Sequence, residues 1–130
     1  MIVVLLAATN AQAAYGQVGL WDAESNDYPG LDGAVVATTE SGIAVAVPGG
    51  PSEPPVRVEV WLETAPDDPN LLSVWSGTIT VRRGGVLVGG WMAGETSEVH
   101  IAPGLHRAEV FVTADFARPA TVRFLLKLDG

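Results

Sequence analysis

Cysteine is absent from the 130 residues, so the chain has no disulfide framework, no thiolate nucleophile and no Cys-built zinc site. That absence fits a reducing compartment, and the reading is cytoplasmic. Positive charge is scarce too. One lysine and six arginines face 15 acidic residues, giving a net charge of −8. So acidic a chain lacks the cationic surface that draws proteins onto nucleic-acid phosphates or anionic membranes. The expected partners therefore exclude both, and a basic protein surface or plain solubility accounts for the charge. No apolar run approaches the roughly 18 residues of a membrane span. Met1 to Ala8 is apolar, and Ala11-Gln12-Ala13 has a small-x-small pattern. No basic residue precedes the run, however, so it reads as a buried strand rather than a targeting segment.

Helical periodicity is also missing. No stretch of about ten residues keeps apolar residues at i, i+3, i+4 and i+7 clear of Gly or Pro. What is present is a two-residue beat. In residues 56–63, Val56, Val58, Val60 and Leu62 alternate with Arg57, Glu59, Trp61 and Glu63; in residues 121–128, Val122, Phe124, Leu126 and Leu128 alternate with Thr121, Arg123, Leu125 and Lys127. A period of two is a pleated strand with one dry and one wet face. With 15 Gly and 9 Pro between short apolar runs, strands are expected at 2–8, 14–21, 34–39, 42–48, 56–64, 73–82, 86–92, 97–102, 106–114 and 120–128. Turn signals every 8–12 residues predict an all-β chain, a single-domain antiparallel β-sandwich of about 8–10 strands spanning 1–130. Pro48 to Pro55 reads as a loop across one end. Gly84-Gly85 and Gly89-Gly90 read as bends, since no P-loop Lys-Ser/Thr follows them.

The inventory for catalysis is poor. There is no Gly-x-Ser-x-Gly elbow for a nucleophilic serine. His100 shares an outer strand face with Glu98, and His106, just after the Pro103-Gly104 turn, reads as a surface or edge residue. No metal, cofactor or catalytic residue is assigned. Asp22, Glu24, Asp27 and Asp32 crowd one loop, but the EF-hand positions for Gly and Glu hold Asp27 and Gly33; a solvated acidic loop is the expectation, with an irregular calcium loop left open. A second acidic loop carries Asp67 and Asp68 between two prolines. Trp61, placed among Arg57, Glu59 and Glu63, has the setting of a partly exposed interface anchor, unless a loop covers it.

Several segments resemble the competence protein J family. They are Tyr15-Gly-Gln17-Val-Gly-Leu20-Trp21-Asp22, Gly77-Thr-Ile79-Thr-Val81 with Gly85-Val-Leu-Val88, Ser97-Glu-Val99-His-Ile101 with Pro103-Gly104-x-His106, and Ala108-Glu-Val110-Phe-Val112. Pro29, Asp32-Gly33 and Gly42-Ile43 fall in a comparable order. The resemblance implies a small β-rich cytoplasmic protein that inhibits a DNA-entry nuclease by binding, without turnover, and it assigns no interface residues. The expected function is thus a non-enzymatic protein-binding sandwich whose partner is another protein, a basic nuclease being the sharpest case. Asp22, Glu24, Asp27, Asp32, Trp61, Asp67 and Asp68 are the candidate contacts. The alternative is a small-ligand or carbohydrate-binding module using Trp and Tyr faces. Homodimerisation through open edge strands is a further expectation.

Overall fold

The computed structural model describes residues 4–11, 16–24, 29–47, 55–90, 96–114 and 121–129. Ten strands follow in order: β1 (Val4–Ala11), β2 (Gln17–Asp22), β3 (Val36–Thr38), β4 (Gly42–Ala46), β5 (Val56–Leu62), β6 (Leu71–Val81), β7 (Gly85–Gly90), β8 (Thr96–His100), β9 (Gly104–Thr113) and β10 (Thr121–Leu128). Among the described residues there is no helix, hence none long and apolar enough to cross a membrane. Of the loop expected at 48–55, residues 48–54 lie outside the described residues, as do Trp91, both tyrosines and parts of the first, second, fourth, seventh and tenth expected strands.

The strands form two five-stranded sheets. One, here called the strap sheet, has the order β1-β5-β10-β9-β6; the other runs β3-β4-β2-β7-β8. Alternation sets their facing. Val56, Val58 and Val60 of β5, Val122, Phe124 and Leu126 of β10, and Ala108, Val110 and Val112 of β9 enter one cluster with Val18, Leu20, Ile43, Val45, Val86 and Val88 of the second sheet. Each such Val, Leu, Ile or Phe side chain taken wholly from water contributes roughly 1.5–3 kcal/mol before chain entropy is set against it. β1 also abuts β7 and β8, so the sheets meet along that side.

Two expectations need correction. The sandwich is not purely antiparallel: β10 lies parallel to β5, with Val122 beside Val58 and Leu126 beside Leu62, while pairing antiparallel with β9. The C-terminal strand inserts between two strands that are distant in sequence, and alternation within a strand carries no information about its neighbours' direction. His106 is not a surface residue. It stands on the inward side of β9 with Ala108 and Val110 and is fully buried. Its Nε2 lies 2.7 Å from the Ala102 carbonyl oxygen, the spacing of an N–H donating to it, while Nδ1 has no partner.

A candidate docking face built by a strap

The site begins with the β5–β6 connection. Because β10 and β9 lie between those strands, residues 63–70 must span both. They must also travel backwards: β5 ends beside Leu126, at the finish of β10, whereas β6 starts beside Thr113, near the beginning of β10. The segment therefore runs as a strap over the outer face of the sheet.

The corner that launches it is Glu63. Its φ of 69° lies in the left-handed region, and the Thr64 amide bonds back to the Leu62 carbonyl at 2.8 Å, closing a three-residue γ-turn. Such a turn is strained for a residue bearing Cβ. It ends β5 at Leu62, short of the expected 64. The Glu63 amide donates to the Leu126 carbonyl at 2.7 Å, and its carboxylate accepts from the Leu128 amide at 3.3 Å. At the far end, Asp68 accepts from the Asn70 amide at 2.9 Å, and the Ala114 amide donates to the Asn70 carbonyl at 2.9 Å.

Midway, the strap is tied down by a polar cluster on the face expected to be wet. Glu59 and Arg123 are only 8% and 7% exposed. One Glu59 oxygen accepts from Arg123 Nε at 2.9 Å and from Trp61 Nε1 at 2.8 Å; the other accepts from Arg57 Nε at 2.9 Å. Arg123 Nη1 donates to the Pro66 carbonyl at 2.7 Å, and its guanidinium carbon stands 5.4 Å from the Trp61 ring centroid. Burial alone would raise the Glu59 carboxyl's affinity for its proton. The hydrogen bonds from Trp61, Arg57 and Arg123 outweigh burial and hold its pKa below the ordinary value. Periodicity could not reveal Glu59 and Arg123 as a buried pair, since they meet only through the parallel β5–β10 register.

Between strap and sheet is a slot of about 440 Å³, floored by Leu71, Phe111, Arg123 and Leu125 and walled by residues 65–69. Asp67 and Asp68 are exposed along its rim. Of the candidate contacts, Asp67 and Asp68 thus line one slot, and Trp61 stands beside the Arg123 that floors it. Trp61 is half-buried, held through its indole nitrogen and by Arg123.

The other acidic loop is built differently. Asp22 is the last residue of β2 and is 1% exposed, so it cannot serve as a surface contact. Its carboxylate accepts from the Arg82 amide at 3.1 Å and the Glu24 amide at 3.2 Å, with Arg82 Nε at 3.8 Å. Glu24 and Asp32 are exposed, Asp32 in a left-handed turn with φ 48° before Gly33; Asp27 lies outside the described residues. His100 pairs with Glu98 at 3.3 Å on an exposed strand surface, and among the described residues no three His, Asp or Glu gather to hold a metal.

No protein-family model matches the chain, and no curated protein matches its sequence. Solved structures do. ComJ from Bacillus subtilis, an inhibitor of the DNA-degrading activity of NucA, superposes with a TM-score of 0.70 at 10% identity, covering 99% of this chain and 100% of its own. A protein described as crocagin biosynthetic gene J superposes at 0.61 with 14% identity, over the full length of both chains. The expected resemblance to the competence protein J family is therefore met at the level of fold, across essentially the whole chain.

Proposed function

We propose that this protein is a non-enzymatic binding protein of the nuclease-inhibitor kind and that it receives its partner on the strap face. The observation that carries the reading is the strap itself: two carboxylates, Asp67 and Asp68, exposed on a segment fixed at both ends and in the middle. A segment already held in place loses little further freedom on binding. Its negative charge, on a chain of net charge −8, steers encounter with a basic surface. The end-to-end fold likeness to ComJ supports a nuclease as that surface. The proposed setting is cytoplasmic, and no cofactor is required.

Capture from the native cell extract is the test, with plasmid-DNA degradation as readout. The wild-type protein is expected to bring down a nuclease and suppress its activity. The double reversal D67K/D68K is expected to slow association at low salt by about tenfold, the difference shrinking as salt rises. A captured nuclease left fully active would overturn the inhibitor reading, and an unchanged on-rate would remove the strap from the interface.

The slot supports a second reading, a small-ligand module. Its floor is apolar at Leu71, Phe111 and Leu125, and Trp61 contacts the Arg123 that lies in it. Ligand-induced change in Trp fluorescence that survives D67K/D68K would favour this reading over protein docking.

A further inference from the structure

The strap face carries a second charged feature of opposite sign. Lys127 of β10 stands directly opposite Arg107 of β9. Both point outward, since Leu126 and Ala108 beside them point into the core. Like charges across a ladder are unfavourable, and scarce cations are normally compensated. The other two basic residues of this face, Arg57 and Arg123, converge on Glu59. Arg107 and Lys127 join none of the ion pairs among the described residues, and the nearby Glu109 carboxylate accepts from Ser73 Oγ at 2.7 Å. A shallow pocket of about 150 Å³, lined by Arg107, Glu109, Leu125 and Lys127, opens between them.

Leu125 lines this pocket and also the slot beneath the strap. The face is thus divided at Leu125 into a raised acidic half and an open basic half. Leu105, 43% exposed, lies beside the basic half, next to Arg107 on β9. A surface so divided is complementary to itself after a half-turn about an axis through Leu125, as a two-fold interface requires. We infer that the protein self-associates face to face, the Asp67–Asp68 strap of each copy meeting the Arg107–Lys127 pair of the other. Self-association covers the strap, so it competes with any partner that docks there.

Sedimentation equilibrium of the full chain, up to about 1 mM, tests this. The wild-type protein is expected to reach dimer mass at low salt and to dissociate as ionic strength rises over about 0.05–0.5 M. Each reversed variant, D67K/D68K or R107E/K127E, is expected to self-associate at least about tenfold more weakly. Mixed one to one, the two variants should recover a heterodimer, because each contact then again joins opposite charges. A monomeric wild-type protein at every concentration would overturn the inference. So would a dimer indifferent to salt and to both reversals, which would point to an edge strand instead, or a mixture that stays monomeric while both variants keep the native circular dichroism spectrum.

Discussion

The two acidic loops are near twins in composition and opposites in construction. In the loop after β2, the first carboxylate turns inward: Asp22 closes on the Arg82 and Glu24 amides and pins the end of β2 to the β6–β7 turn. In the strap, Asp67 and Asp68 stay outside, and the inward work falls to the strands beneath, where Arg123, held by Glu59, donates to the Pro66 carbonyl. The difference follows from what each loop must do. The first turns the chain at a strand end, where short side-chain-to-backbone bonds suffice. The strap crosses two strands, and a backbone laid over a sheet needs partners from below.

Breaking that contrast begins with Glu59. Glu59→Ala leaves Arg123 buried without its carboxylate, and breaking a buried pair in this way is expected to destabilise by about 3–5 kcal/mol, measured as a lower urea midpoint. Asp22→Ala removes an acceptor from two amides without stranding a buried guanidinium, so the loss should be smaller, about 1–3 kcal/mol. If Asp22→Ala proved the more damaging, the ranking of the two loops would be reversed.

Acid sharpens the same comparison. The folded-state pKa of Glu59 lies below its unfolded value of about 4.5. Its contribution is therefore fully present above that value and is lost as pH falls through the lower, folded one. Urea titrations between neutral pH and the acid range should show a decline in stability that Glu59→Gln reduces. The smallest effect is expected at the rim: both side chains are exposed and only the Asp68 bond to the Asn70 amide is lost, so D67K/D68K should shift stability by no more than about 1 kcal/mol. A large loss there would mean that the strap acids hold the fold together and are not spare for a partner.

Much of this architecture is legible in the chain. Each of the ten described strands overlaps an expected one, and the inward residues of β5 and β10 are the expected ones except Leu128, which is 45% exposed. Their wet faces are where the reading stops. Whether Arg57 or Glu59 meets water depends on what lies above it, and only strand order reveals that a loop must pass over. His106 fails for a related reason. Its position beside a Pro-Gly turn suggested exposure, while its parity with Ala108 and Val110 placed it inward, and parity prevailed because the sheet beneath is continuous to β9's first turn. Asp22 opens an acidic run and so reads as loop, although it ends the strand.

The parallel seam between β5 and β10 has one more implication, for the order of assembly. Until the eight residues of β10 arrive, no strand joins β1 and β5 to β9 and β6, and the strap has no Arg123 to grip. Emerging from the ribosome, this sheet must wait for β10. A release factor that terminated synthesis before Thr121 would yield a polypeptide with two loose half-sheets and bare hydrophobic flanks, prey for proteases.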